Sequence, residues 1–204
     1  MRSVPCSPSS WPASVQGGTG GRTAGIGTGH VIRGLERSEA SGNSGSMSAL
    51  HPPSVRVRNV VGQDMPDLLR LDREVFLDDP MPHSILRQFV DMFADHLLVA
   101  EDEDGRLCAY VLATPPHRGR SWIVSLGVAS AMRRRGLAEQ LMRESLENLR
   151  TEGAHTVLLW VEPTNKPATA LYDSLGFVPD REGPRPDHFG PGADRILMTL
   201  HTTP

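Results

Sequence analysis

The stretch Val128-Ala129-Ser130-Ala131-Met132-Arg133-Arg134-Arg135-Gly136-Leu137-Ala138 decides how the rest of the chain is read. Before it, Trp122-Ile123-Val124-Ser125-Leu126-Gly127-Val128 has the β-branched, apolar character of a strand. After it, Leu137, Leu141, Met142, Leu146 and Leu149 recur at helical spacing. A helix is therefore expected from about Gly136 to Thr151, with Gly153 at its stop. A strand, a short basic loop and a helix N-terminus together present unpaired backbone N–H groups and about half a positive charge. That is the make-up of a phosphate site, to which three arginines add donors. Gly136 lets the backbone come close to a ligand, and Ala138 keeps the first turn uncluttered. A solvated basic loop ahead of an amphipathic helix has the same residues, and these alone leave both readings open.

Working outward, Val55-Arg56-Val57-Arg58-Asn59-Val60 alternates with period two, as a half-buried strand does. A helix carrying Leu68, Leu69, Leu71, Val75 and Phe76 follows, with Asp64 as its cap and Pro66 in its first turn. Asp79-Pro80-Met81-Pro82 breaks the chain. Ser84 is then expected to cap a second helix through Phe93. Leu97–Ala100 and Leu107–Leu112 flank Asp104-Gly105, a hairpin signal. Thr156–Val161 is a continuous apolar run, a strand buried on both faces. A helix over Asn165–Leu175 ends at Gly176, and short strands at Phe177-Val178 and Ile196–Leu200 complete the order βααβββαβαββ. Such alternation implies a mixed sheet covered by helices.

Composition divides the chain. Of its 20 glycines, ten lie between Gly17 and Gly45. Residues 1–53 are rich in Gly, Ser and Pro and are expected to be a disordered extension, because they bury too little apolar surface to offset ordering entropy. A protein beginning at Met47 is expected to keep full activity. Residues 54–204 form the expected domain. The formal net charge of −3 offers no basic footprint for nucleic acid. Cys6 and Cys108 lie in unlike contexts, which fits a reducing compartment better than a disulfide framework. No apolar run reaches the roughly 20 residues of a membrane span, and the expectation is a cytoplasmic protein. The histidines lack paired metal-ligand spacing, so no metal site is expected.

Two separated stretches resemble the GCN5-related N-acetyltransferases, the GNAT family. Arg133-Arg134-Arg135-Gly136-Leu137-Ala138 is similar to the family's pyrophosphate loop, Arg/Gln-x-x-Gly-x-Gly/Ala. Asn165-Lys166-Pro167-Ala168-Thr169-Ala170-Leu171-Tyr172, followed by Leu175-Gly176-Phe177, is similar to its later Asn-x-x-Ala-x-x-Leu-Tyr segment. The resemblance covers roughly 55–200 and is strongest toward RimI-type ribosomal-protein and peptide N-acetyltransferases. It implies an α/β fold with a mixed, mostly antiparallel sheet, a splayed central strand pair and helices on both faces. It also implies acetyl-CoA as acetyl donor. Backbone at Leu126, Gly127 and Val128 would pair with the pantetheine arm. Backbone from Arg133 through Arg134, Arg135, Gly136 and Leu137 to Ala138 would hold the diphosphate, and Asn165 the cofactor arm.

Tyr172 lies two helical turns after Asn165, and a phenol there can protonate the departing thiolate. A thiol near roughly 8.5 and a phenol near roughly 10 permit that transfer. The proton acceptor is less defined. Related ribosomal-protein acetyltransferases place a glutamate where this chain has Trp160. Glu162 shares that strand face if the strand continues, and Glu74 is another option. The acceptor implied is a protein or peptide N-terminal α-amine, with a small-molecule amine as the alternative and a non-catalytic acetyl-CoA sensor as a third reading. His188 and Phe189 stand where the RimI-like group carries paired tyrosines. His188 is open to substrate binding, to a role as base, or to a surface place.

Overall fold

The computed structural model describes residues 55–77 and 79–202. The expected extension, Cys6 and Met47 lie outside the described residues. The elements run β1 (Arg56–Asn59), α1 (Met65–Val75), α2 (His83–Phe93), β2 (Leu97–Glu101), β3 (Leu107–Ala113), β4 (Arg120–Val128), α3 (Leu137–Thr151), β5 (Thr156–Val161), α4 (Lys166–Ser174), β6 (Val178–Pro179) and β7 (Ile196–His201). Seven strands form one open sheet in the order β1-β2-β3-β4-β5-β7-β6. Every neighbouring pair is antiparallel except β4 with β5.

The reason β4 and β5 are parallel is the α3 crossover between them, which returns the chain to the same end of the sheet. β3 is buried at all seven positions, so it needs cover on both faces. Packing of α1 and α3 against it supplies that cover. The core joins the apolar stripes of both helices, among them Leu68, Leu71, Leu141 and Leu149, to the central strands. Among the described residues, no helix is long and apolar enough to cross a membrane.

Local chemistry sets the element ends. Asp102 Oδ1 accepts the N–H groups of Asp104 and Arg106, and Gly105 takes φ +74°, which closes the β2–β3 hairpin as the Asp-Gly signal predicts. Gly153 and Gly176, both at φ +90°, end α3 and α4. Ser84 does not cap α2. That helix starts two residues earlier, at His83, behind Pro82, whose carbonyl accepts the Ile85 and Leu86 N–H groups. Asp64 caps a short 3-10 turn before α1, taking the Val61 N–H at 2.8 Å while Arg58 holds both of its oxygens.

Candidate active site

β4 and β5 pair only from Arg120–Thr156 to Ile123–Leu159. Beyond that point β4 follows β3 as far as Val128, and β5 follows β7. The two central strands therefore part at mid-sheet and leave a wedge. Val124 is a bulge, since Leu112 faces Ser125 while Ala113 faces Ile123. A bulge bends a strand and increases its twist, which turns β4 away from its neighbour. Leu126, Gly127 and Val128 all lie on the parted stretch and are buried. Gly127 is required by packing: a Cβ there would sit 2.7 Å from Tyr110 Cε1.

At the open end of β4 the chain makes a 3-10 turn over Ser130–Met132 and then a kinked loop into α3. Arg134 has φ +63° and Gly136 φ +80°. Such left-handed residues next to ordinary ones point successive amides into a common concavity, the nest that favours anions. Gly136 caps α3 without a side-chain bond, and its carbonyl takes the first helical N–H, from Gln140, at 2.9 Å. The N–H groups of Leu137, Ala138 and Glu139 thus precede the first helical bond and face out at the positive helix end. A Cβ on Gly136 would meet no atom within 4 Å, so the ground ahead of the loop is open.

The three arginines are not equivalent. Arg133 is half-buried and its Nε donates to the Val128 carbonyl at 3.3 Å, bracing the loop against β4, whereas Arg134 and Arg135 are exposed. Glu74 ties the same loop to α1. Its Oε1 accepts the Ser130 N–H and hydroxyl, both at 3.2 Å, and its Oε2 accepts Arg70 at 3.2 Å. Glu74, one of the proton acceptors considered from sequence, thus anchors the loop to α1 through both of its oxygens.

Asn165 is the N-cap of α4, its Oδ1 accepting the Ala168 N–H at 3.1 Å. Two turns on, Tyr172 is fully buried, with its ring edge-on to Phe177 at 5.7 Å. The Tyr172 hydroxyl has no hydrogen-bond partner. Burial pushes this phenol well above its ordinary range and keeps the proton on it. A buried hydroxyl left unsatisfied costs about 1–3 kcal/mol, so its retention calls for a reason. A thioester sulfur in the wedge would supply the missing partner, and the outward amides at α3 would hold a diphosphate. The residues present therefore fit acetyl-CoA.

The two faces of the sheet carry different chemistry. Tyr110 on β3 donates to Asp72 of α1 at 2.6 Å and meets Ser125 of β4 at 2.9 Å, which fixes the α1 face. The bulge at Val124 shifts the alternation, so Trp122 shares that face with Ser125. Trp160 of β5 stacks on Trp122, with centroids 6.3 Å apart. His188 and Phe189, from the β6–β7 loop, close on Trp160 at 4.0 and 6.1 Å, and Arg185 lies over its ring at 5.0 Å. α4 is on the opposite face, because Gly176 at its end sits against Leu200, the partner of Val157. α4, which carries Tyr172, and the aromatic wall thus lie on opposite faces of the sheet.

Glu162 lies just past β5, in the turn where its carbonyl accepts the Asn165 N–H at 3.0 Å. The strand stops at Val161, so the alternation that would carry Glu162 to the Trp160 face is not continued. Sequence reasoning missed Trp122 and Arg185 on the wall and the Asp72–Tyr110–Ser125 network. Asp72 had a readable signal: it is a carboxylate on the apolar stripe of α1, beside Leu68, Leu71 and Val75.

The profile of the acetyltransferase (GNAT) family matches residues 63–177. The chain is 31% identical to N-alpha-acetyltransferase 30 of Schizosaccharomyces pombe over 104 residues, 50% of this chain and 69% of that protein. It is 30% identical to the mycothiol acetyltransferase of Beutenbergia cavernae over 161 residues, 74% of this chain. The chain spans about half of that relative's length (54%). The crystal structure of Ard1 from Thermoplasma volcanium superposes with a TM-score of 0.67 at 18% identity, over 74% of this chain and 99% of that one. The chain belongs to the GNAT family of acetyltransferases, whose acetyl donor is acetyl-CoA.

Proposed function

We propose that this N-acetyltransferase acts on the α-amine of a peptide or protein N-terminus. The observation that carries the transfer step is the wedge beyond Ile123 and Leu159, with left-handed Gly136 and the start of α3 following β4 and a buried, partnerless Tyr172 hydroxyl on α4. In this reading the amides from Arg133 to Ala138 hold the diphosphate. Backbone at Leu126, Gly127 and Val128 aligns the pantetheine arm, with Asn165 beside it. Tyr172 gives its proton to the departing sulfur. The similarity to N-alpha-acetyltransferase 30 over 69% of that protein supports an N-terminal acceptor. An α-amine, with a pKa of roughly 8 against about 10.4 for lysine, also needs less help to lose its proton.

Similarity to mycothiol acetyltransferases supports a second reading, a small amine acceptor. An acceptor panel read by release of free CoA thiol separates the two. Turnover with peptides bearing free N-termini, and a single acetyl group on the terminal residue by mass spectrometry, is the expected result. Turnover with amino sugars, polyamines or amino acids and none with peptides would overturn the peptide reading. Tight acetyl-CoA binding with no thiol release for any amine would make the chain a sensor.

A further inference from the structure

We infer that His188 accepts the proton of the acceptor amine, a catalytic role that rests on the acetyl-transfer reading above. If the departing sulfur is served from the Tyr172 face, the amine must enter from the other face of the wedge. On that face the wall bordering the wedge is Trp122 and Trp160, and neither indole can take up a proton. The β6–β7 loop brings an imidazole against Trp160, with centroids 4.0 Å apart. His188 is exposed and in tilted ring contact with Trp160 and Phe189, so it is both held by its neighbours and open to solvent.

The loop is built to hold it there. Its ends are bridged by mutual backbone bonds between Arg185 and Arg195, at 2.7 and 3.1 Å. Asp187 takes φ +50° and accepts the Gly192 N–H at 2.6 Å, while Asp194 accepts the Asp187 N–H at 2.9 Å. The charged groups around the imidazole are thus Arg185, stacked over Trp160, Arg195, over Phe189, and the loop carboxylates Asp187 and Asp194. One oxygen of each carboxylate accepts a backbone amide. Glu162 follows Trp160 by two residues, in the turn before α4, where its carbonyl accepts the Asn165 N–H.

The proton balance is simple. An ammonium acceptor gives one proton to the His188 ring, directly or through one water, and its nitrogen lone pair forms the N–C bond to the acetyl carbon. The C–S bond breaks, and the sulfur takes the Tyr172 proton. The second proton of the nitrogen leaves as the amide forms and restores the phenol through solvent. The imidazolium returns its own proton to water.

The test is kcat/KM against pH, from about 5.5 to about 10, for the wild type, His188→Phe, His188→Tyr and Glu162→Gln. Phenylalanine keeps a ring against Trp160 but cannot accept a proton, and tyrosine keeps a hydrogen-bonding group as well. His188→Phe is expected to lose about 100-fold at neutral pH. Its rate should then follow only the ionisation of the amine, near roughly pH 8, so the deficit narrows as pH rises. His188→Tyr should behave in the same way. Wild-type rates and an unchanged profile in His188→Phe would overturn the inference. So would full rescue by tyrosine, or Glu162→Gln reproducing the loss. Calorimetric titration with acetyl-CoA confirms that each variant is folded. A wild type that releases no thiol for any amine would instead overturn the acetyl-transfer reading itself.

Discussion

The two faces of the wedge are built on different principles. The α3 and α4 face presents backbone, three outward amides and a left-handed Gly136, together with the Asn165 side-chain cap and a single buried phenol. The α1 face presents side chains from distant segments: Trp122, Trp160, His188, Phe189 and Arg185. A backbone site depends on short motifs in which few residue types keep the geometry. A side-chain wall tolerates exchange as long as its parts still pack. One donor serving many acceptors is what such a division allows.

One network ties α1 to the central strands, and breaking it should have the largest structural effect. Asp72 accepts the Tyr110 hydroxyl at 2.6 Å and the Met81 N–H at 2.7 Å, while Tyr110 also meets Ser125 on the parted half of β4. Asp72→Ala leaves two buried donors without their acceptor and is expected to cost about 2–4 kcal/mol. Asp72→Asn, which keeps an acceptor oxygen, should cost less. Thermal unfolding measures both. An Asp72→Ala protein as stable as wild type would show that α1 is held to β3 and β4 some other way.

Gly136→Val addresses the backbone face alone. A Cβ there meets nothing, so the penalty is confined to a β-branched residue at φ +80°, about 1–2 kcal/mol. The loop should relax away from this conformation and turn its amides aside. Acetyl-CoA binding is expected to weaken about tenfold, which is roughly 1.4 kcal/mol, measured by titration calorimetry. Unchanged affinity would mean that the cradle does not depend on the left-handed turn.

The smallest effect belongs to neither face. Arg58 holds the Asp64 carboxyl below the usual carboxylate range. A carboxyl depressed in the folded state adds stability above its unfolded value and loses it as pH falls through the folded one. Wild type should therefore lose stability below roughly pH 4 more steeply than Asp64→Asn, by less than about 1 kcal/mol. Parallel melting curves from pH 7 down to about 3 would check this.

The same contrast explains what the sequence disclosed. All eleven helices and strands appear in the expected order, because apolar periodicity and Gly, Pro and Asp-Gly punctuation are local signals. The segments proposed to hold the diphosphate and the acid were legible for the same reason, as contiguous motifs. The aromatic wall was not, because it depends on the bulge at Val124. That extra residue shifts the alternation of β4 and brings Trp122 to the face of Ser125, and no residue type in Trp122–Val128 announces it. Sequence could put Glu162 on the Trp160 face only if β5 continued, and β5 ends at Val161, one residue short. His188 could be placed only once the loop that carries it was folded onto β5.

The most direct measurement compares acetyl-CoA affinity with turnover in Tyr172→Phe. Its hydroxyl is buried and partnerless, so removing it should leave stability unchanged or slightly higher and acetyl-CoA affinity within about threefold of wild type, while kcat falls about 100-fold or more. A Tyr172→Phe protein that turns over at the wild-type rate would contradict the assignment of the wedge as the acetyl-transfer site.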